Sequence, residues 1–262
     1  MKQRGLIVIH QFRPVASGAE LQAERLAMKL VEMGHPMQVF TQLRTPDSLP
    51  EENLHGIQVH RVEFPLAYDV KTSVVDTFRY LVQNRHSYDI IHVQQAFGHA
   101  VTSVVAARTF GKKCIIKIAC AGEFGDLHIF SSIPGFNWAV QVLRQADRII
   151  AISREVEDEL QTWGFPVQRI CRIPNGVDTH FFQRRYPLQF EKRVRFILPG
   201  RRHPQKGIDV ALHAIRLLVD QGLGDRLEIK FYGVDYPEHD YYAVARELRV
   251  TEWVEFLPLL RQ

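Results

Sequence analysis

A basic, glycine-bounded loop, GRRHPQKG at residues 200–207, stands between a run typical of a buried strand (194–199) and a run typical of a helix (207–221). That order places the loop at the carboxyl edge of a parallel sheet, where open α/β folds bind their ligands. The positive end of the helix dipole adds to the charges of Arg201 and Lys206. The loop therefore predicts an α/β fold with a place for a diphosphate, and a basic turn without a ligand is the alternative.

Two well-known phosphate-binding loops do not match this stretch. Gly207 stands where a Walker loop has the Ser or Thr that ligates magnesium, and the glycine spacing differs from the dinucleotide-binding fingerprint. Any anion binding here therefore depends on the two cations and the helix that follows them.

The α/β alternation continues after the loop and then stops. A second strand (227–232) and helix (238–248) follow, and a third strand begins at 254–257. About 74 residues follow position 188, whereas a doubly wound nucleotide-binding domain usually takes about 100–150. We therefore predict that residues 189–262 are the first part of a second, incomplete Rossmann-like domain.

Upstream of the loop, short β-branched runs alternate with helical patterns. Leu21, Leu26 and Leu30 give one helix an apolar stripe, and Gly34 marks its end. The alternation predicts one complete doubly wound domain over residues 1–188. Its predicted strands are residues 6–10, 37–41, 57–62, 89–93, 114–119 and 148–152.

Composition excludes several classes of protein. The chain has 262 residues, of which 46% are hydrophobic and 24% charged, as in globular rather than fibrous or disordered proteins. No run approaches the ~20 apolar residues of a membrane-spanning helix, and the short run 6–9 predicts a first strand rather than a signal peptide. Cys114, Cys120 and Cys171 fit no zinc or disulfide spacing, which favours reduced thiols in a cytosolic protein.

Positive charge is concentrated in one segment. The chain carries a formal net charge of +4, while residues 184–206 hold eight Lys or Arg and one Glu, a local charge of +7. The part from Arg184 to Arg195 can contact a phosphate or an anionic membrane surface, or it can be a solvated loop. No nucleic-acid-binding module accompanies the charge, so we expect no nucleic-acid partner.

Five short motifs, in this order along the chain, resemble those of a known family. They are SGAE (17–20), DIIHV (89–93), ADRIIAIS (146–153), IPNGVD (173–178) and the loop at 200–207. Together they resemble the family 4 glycosyltransferases, and the resemblance covers essentially the whole chain. It implies the GT-B fold, in which two Rossmann-like domains face each other across a cleft, and a retaining transfer of a sugar from a nucleotide-sugar donor.

The resemblance also implies roles for residues on the donor side. Arg201 and Lys206, which follow Gly200, resemble the family's pair that holds the diphosphate and stabilises the leaving group without a metal. Ser17 and Gly18 fall in the loop that faces the donor in such enzymes. Serine replaces the first glycine of the usual pair, a departure that still permits a tight turn.

The acceptor side departs further from the family. After strand 114–119 many members have an active-site His, whereas this chain has GEFGD at residues 122–126, whose carboxylates can bind sugar hydroxyls. His99 and His128 are nearby histidines, and a structural role is the alternative for each. The candidate acceptor-binding residues are Glu20, His99, Gly122, Glu123 and Asp126, and the candidate catalytic residues are Arg201, Lys206 and Glu123.

A further departure from the family concerns the carboxylates that bind the donor. Family members carry a Glu-x7-Glu motif late in the second domain, and the matches at Glu24–Glu32 and Glu247–Glu255 lie in the wrong context. The resemblance implies a nucleotide-sugar donor, UDP-, GDP- or ADP-linked, without specifying its base or sugar. No Asp-x-Asp pair or ligand cluster occurs, so we expect no cofactor and no metal site.

The resemblance thus implies a metal-independent, hexosyltransferase-like retaining enzyme with a glycan, lipid-linked or small-molecule acceptor. We expect it in the cytoplasm, with peripheral contact at the inner face of the membrane through Arg184 to Arg195. The alternative is a non-catalytic GT-B-like binding or assembly fragment. An incomplete second domain would also expose apolar residues and favour self-association; those expected at its surface are Phe256, Leu257, Leu259 and Leu260.

Overall fold

The computed structural model of the chain describes residues 2–14, 17–43, 45, 48–63, 70–183 and 193–258. The chain divides into two units, residues 1–178 and residues 179–262. The predicted boundary between residues 188 and 189 lies outside the described residues and stays a prediction.

The first unit contains an eight-stranded sheet. Its strands are β1 (Gly5–Val8), β2 (Met37–Gln42), β3 (Glu51–Leu54), β4 (Ile57–Val62), β5 (Ile90–Gln94), β6 (Lys113–Ile118), β7 (Arg148–Ala151) and β8 (Ile170–Arg172). Their order is β3-β4-β2-β1-β5-β6-β7-β8, and each pair is parallel except β3–β4. The chain therefore builds one half of the sheet outward from β1 and then returns to build the other, which is doubly wound topology.

Side chains of β1 alternate between two cores. Leu6 and Val8 belong to the larger core, whereas Ile7 and Ile9 belong to a smaller one that contains Ala23 from the first helix. This alternation follows from the two-residue period of a strand, and it shows that both faces of the sheet are covered. The helices of this unit are α1 (Gly18–Glu32), α2 (Val70–Gln83), α3 (Gly98–Phe110), α4 (Asp126–Ser131), α5 (Phe136–Leu143) and α6 (Arg154–Thr162).

The second unit has a three-stranded parallel sheet in the order β11-β10-β9. Its elements are β9 (Val194–Pro199), α7 (Ile208–Asp220), β10 (Leu227–Tyr232), α8 (Tyr241–Glu247) and β11 (Val254–Leu257). Ile208, Leu212 and Ile215 of α7 are buried against Ile229 and Phe231 of β10. The predicted β-α-β-α-β succession is therefore confirmed.

Exposed apolar side chains in this unit lie on a different strand from the one expected. Phe256 is half-buried, with its ring 5.1 Å from that of Phe231, and Leu257 is also half-buried. Strand β9 instead exposes Phe196 and Ile197 by 46% and 60%. The expectation for Phe256 and Leu257 was wrong because α8 and β10 cover β11, and Leu259 and Leu260 lie outside the described residues.

In the described part of the chain, no helix is both long and apolar enough to span a bilayer. Most of the basic segment from Arg184 to Arg195 lies outside the described residues, so its membrane contact stays a prediction.

Candidate active site

The basic loop at residues 200–207 follows β9 and lies against the loop that follows β10. Gly200 donates its N–H to the carbonyl oxygen of Tyr232 at 2.8 Å, and Gly233 lies directly opposite. A Cβ on Gly233 would lie 1.7 Å from the carbonyl oxygen of Gly200. Glycine is therefore required at position 233 for the two loops to meet at the carboxyl edge of the sheet.

Arg201 and Lys206 are the exposed cations of this loop. A short 3-10 turn, Pro204–Lys206, brings the lysine back, so that a Cβ on Gly200 would lie 3.7 Å from Lys206 Cε. Neither cation forms an ion pair with any residue that the structure describes. Their charges and the amino end of α7, which starts one residue after Gly207, create positive potential suited to an anion.

The pKa of His203 responds to this potential. Partial burial is the first cause of its lowering, and the positive charges of Arg201 and Lys206 contribute to it. His203 is therefore held toward its neutral form beside the two cations.

Arg202 points the other way. Its guanidinium is buried, with Nε 2.6 Å from Asp235 Oδ1, and Nη1 donates to the carbonyl oxygen of Leu257 at 3.0 Å. This arginine joins the loop after β9 to the ends of β10 and β11. The structure thus removes Arg202 from the exposed basic cluster that the sequence indicated.

In the first unit, Ser17, Gly18 and Glu20 form the start of α1. Ser17 N donates to Glu20 Oε2 at 3.0 Å, and the serine hydroxyl also contacts that oxygen. The Glu20 carboxylate is buried and serves this capping arrangement. Gly18 is exposed, and a Cβ there would meet no atom within 4 Å, so the space beside its backbone is open.

His99 lies below the surface at the start of α3. Its Nε2 lies 2.9 Å from the carbonyl oxygen of Gln94, which can only accept, so Nε2 carries the proton. Burial lowers the pKa of His99 to about 4, and its ring packs edge-on against that of His10 at 4.5 Å. The neutral imidazole keeps Nδ1 as an acceptor.

His99 also lines a small cavity in the first unit. The cavity measures about 10 Å³, close to the volume that one water molecule needs. Among the described residues, His99 Nδ1, Thr41 Oγ1 and Gln42 Oε1 are buried without a hydrogen-bond partner, and all three residues line it. Gln42 Nε2 lies 3.1 Å from Nδ1 of His10, which also lines the cavity.

The GEFGD segment divides into an exposed half and a buried half. Gly122 donates its N–H to Glu159 Oε2 at 2.7 Å, and Glu123 is exposed in the 3-10 turn Gly122–Phe124. Asp126 is buried and accepts from the N–H of Ala119 at 3.2 Å.

Burial raises the pKa of Asp126 to about 6, against the lowering effect of hydrogen bonds from the Ala119 and Ala96 amides. Asp126 thereby joins the loops after β5 and β6. Its buried position favours a role in holding these loops rather than direct contact with a ligand.

The structure therefore brings the predicted site residues of the first unit, on the donor and acceptor sides, to one sheet edge in different states. Glu123, Gly122 and Gly18 face solvent, whereas Glu20, His99 and Asp126 are engaged inside the protein. The residues predicted from the sequence did not include His10, Thr41, Gln42 or Glu159. The first three are polar residues at the ends of apolar strand runs. The ends of parallel strands meet at one edge of the sheet, so this pattern could have indicated them.

Comparisons with known proteins agree with this architecture. The model of the family described as Glycosyltransferase Family 4 matches residues 16–181. The chain is 25% identical over 218 residues to the phosphatidylinositol N-acetylglucosaminyltransferase GPI3 subunit of Saccharomyces cerevisiae, covering 78% of this chain and 47% of that protein. The chain thus spans about half the length of the curated relatives that it matches.

Solved structures give the same result for the fold. Sucrose-phosphate synthase from Thermosynechococcus elongatus superposes with a TM-score of 0.74 at 15% identity, covering 98% of this chain and 71% of that one. Anabaena Alr3699/HepE, solved with UDP and glucose, gives a TM-score of 0.72 at 17% identity, covering 99% and 70%. The predicted α/β fold class, of the GT-B type, is confirmed.

Proposed function

The chain belongs to glycosyltransferase family 4, and from this we propose that it takes part in the retaining transfer of a sugar from a nucleotide-sugar donor to an acceptor hydroxyl. The observation that carries the proposal is the pair of exposed cations, Arg201 and Lys206, at the amino end of α7. A nucleoside diphosphate is a ligand of matching charge and size for that place.

The proposed chemistry needs a group that stabilises the departing diphosphate. The bond between the anomeric carbon and the phosphate oxygen breaks, and its electron pair leaves on the diphosphate. The acceptor oxygen forms the new bond to the anomeric carbon, and the hydroxyl proton passes to the departing phosphate oxygen. Arg201 and Lys206 would hold that growing negative charge more strongly than the charge of the intact donor, which lowers the barrier. Gly200 would bring the loop backbone close to the phosphates, and Ser17 and Gly18 would contribute to donor binding.

On the acceptor side, we propose that the exposed carboxylate of Glu123 contacts the acceptor and that Gly122 shapes its loop. Asp126, His99 and Glu20 would act through these loops, because their polar groups are engaged within the protein. The yeast relative is named for transfer of N-acetylglucosamine to phosphatidylinositol, which supports a lipid-linked acceptor over a free sugar.

We further propose that the enzyme works in the cytoplasm and reaches the inner face of the membrane through Arg184 to Arg195. The number and spacing of the three cysteines, which fit no disulfide framework, support a reducing compartment. Cosedimentation with vesicles containing phosphatidylserine tests the contact. Replacement of Arg184, Arg185 and Arg193 by Ala should weaken it, and unchanged cosedimentation would contradict this part of the proposal.

A turnover assay tests the central proposal. The chain is incubated with UDP-, GDP- and ADP-linked sugars and a phosphatidylinositol acceptor, with and without EDTA. We expect transfer from one donor, loss of that transfer in Arg201→Ala, and little effect of EDTA, because the basic side chains neutralise the leaving group. A strict requirement for magnesium or manganese would contradict the metal-independent mechanism.

The alternative that we propose is a non-catalytic function. A chain that binds a nucleotide without turning over any donor would be a GT-B-like binding or assembly module. Nucleotide binding by calorimetry together with absent transfer identifies that case.

A further inference from the structure

An apolar groove opens on the first unit between α2, α3, α4 and α5. Its volume is about 280 Å³. Trp138, Phe78 and Val105 in its wall are 65%, 41% and 37% exposed, so the apolar surface is open to solvent. Its other large side chains are Val74, Val101, Phe130, Ile133 and Phe136.

The chemistry of the groove selects against polar ligands. None of the described residues that line it carries a charged side chain. The hydroxyl of Thr102 donates to the carbonyl oxygen of Gly98 at 3.1 Å, so this donor is already used. A surface of this composition gains free energy mainly by burying hydrocarbon.

One end of the groove reaches the acceptor-side loops. Gly98, the first residue of α3, lines the groove and directly follows Phe97 at the carboxyl edge of the sheet. The ring of Phe130 lies 6.3 Å from that of Phe97 and 5.6 Å from that of Phe136. Phe130 belongs to α4, and this helix begins at Asp126, shortly after the turn that carries the exposed Glu123. A single ligand can therefore place a polar head at this edge and a chain in the groove.

We propose that the groove binds one hydrocarbon chain of the acceptor, so that the acceptor is a lipid whose headgroup hydroxyl lies at the sheet edge. This inference rests on the proposed function, because the hydroxyl to be glycosylated belongs to the same molecule. The volume of about 280 Å³ lies at the lower limit of the ~300–1,000 Å³ of small-molecule pockets, which suits a single chain.

Alkyl glucosides of increasing length test the groove directly. Methyl, hexyl and octyl β-D-glucoside are titrated into the full chain while tryptophan fluorescence is recorded, and Trp138→Phe identifies the signal from the groove. Each added methylene should raise the affinity about fourfold while the groove fills, so octyl binds about 16-fold more tightly than hexyl. Methyl glucoside should give no change in Trp138 emission.

Two residues of α2 provide a matched pair of variants. Phe78 lines the groove, whereas Val75 is 55% exposed on the same helix and does not line it. Phe78→Asp should weaken octyl glucoside binding about tenfold or more by placing a charge in the apolar wall, and Val75→Asp should leave it unchanged. Val105→Phe narrows the groove without adding charge. In this variant, affinity should stop rising at a shorter alkyl length than in the unmodified protein.

The outcomes separate this inference from the proposed function. Affinity that does not depend on chain length, or that Val75→Asp lowers as much as Phe78→Asp, would overturn the groove assignment while leaving nucleotide binding intact. If affinity depends on alkyl length but the protein binds no UDP, GDP or ADP, the proposed function is contradicted. The assignment of the bound hydrocarbon to an acceptor is then overturned as well.

Discussion

Arg201 and Arg202 are adjacent in the chain, yet one is exposed and the other is buried against Asp235. Arg202 pairs with Asp235 through its backbone and its side chain, whereas Arg201, one residue earlier in the loop after β9, faces solvent. Arg201 is thereby available to a ligand, while Arg202 holds the loop in place. A basic cluster read from the sequence thus separates into a binding residue and a structural one.

Removal of the partner of Arg202 should cost stability. Asp235→Ala leaves a buried guanidinium without its carboxylate, which should lower the free energy of unfolding of the second unit by about 1–3 kcal/mol. Asp225→Ala, an exposed carboxylate in the same unit, should change it by less than ~0.5 kcal/mol. Urea unfolding of both variants checks this, and equal effects would show that the Arg202–Asp235 pair is not special.

The carboxyl of Asp126 should make stability depend on pH. Its folded-state pKa is raised to about 6, so the folded protein binds more protons than the unfolded chain between about pH 4 and 6. Asp126 therefore lowers the free energy of unfolding as pH rises through that window. The free energy of unfolding of Asp126→Asn, relative to that of the unmodified chain, should therefore rise by about 3 kcal/mol from pH 4 to pH 6. It should not rise further above pH 6. A difference that is constant with pH would contradict the raised pKa.

The positions of the candidate site residues could be predicted from the sequence. Their exposure and their hydrogen-bond partners could not. Local order along the chain places Arg201, Lys206 and Glu123 after strands, and the structure leaves all three exposed. The engagement of His99 and Asp126 depends on the backbone of Gln94 and Ala119. Such contacts form only when several strand ends are brought together, and no sequence spacing encodes them.

At the scale of elements, β-branched runs identified the central strands within one or two residues of their bounds. Strand β3, with sequence EENL, was missed because it is polar and lacks β-branched residues. It is stabilised by antiparallel pairing with β4 across a turn in which His55 and Gly56 have φ of 54° and 84°. The His-Gly pair was the local signal for this hairpin, because a two-residue turn of this kind needs positive φ at both positions.

The contact between the loops after β9 and β10 predicts a large effect at Gly233. In Gly233→Ala the new methyl would overlap the carbonyl oxygen of Gly200, so the loops must separate, at a cost of about 2–4 kcal/mol in stability. Gly222→Ala is the control, because φ there is +76° and no atom lies within 4 Å, leaving only backbone strain of about 1–2 kcal/mol. Nucleotide affinity should fall in the first variant alone, and an equal loss in both would refute a role for the loop contact.

At the scale of the whole molecule, the first unit has both faces of its sheet covered, while the second exposes apolar residues on β9. No strand pairs with the outer edge of β9 among the described residues. An edge of this kind is a template for association with another chain. The expected self-association is therefore assigned to β9 rather than to β11.

Substitution on β9 tests that assignment. Ile197→Lys should shift the chain toward monomer in sedimentation velocity, because a charge on an exposed strand opposes edge pairing. Val210→Lys changes a residue that is 72% exposed on α7 and should not alter the distribution. A monodisperse unmodified chain at all concentrations would show that β9 does not self-associate.

The proposed function depends most on binding of the diphosphate of a nucleotide by the loop at residues 200–207. Calorimetric titration of UDP, GDP and ADP into the chain tests it most directly, with Arg201→Ala, Lys206→Ala and the control Arg226→Ala, which lies at the opposite end of β10. We predict binding of one nucleotide, a loss of about 1.5–3 kcal/mol (about 10- to 150-fold) in each loop variant, and no change in the control. Unchanged affinity in Arg201→Ala and Lys206→Ala for the nucleotide that binds the unmodified chain would contradict the account.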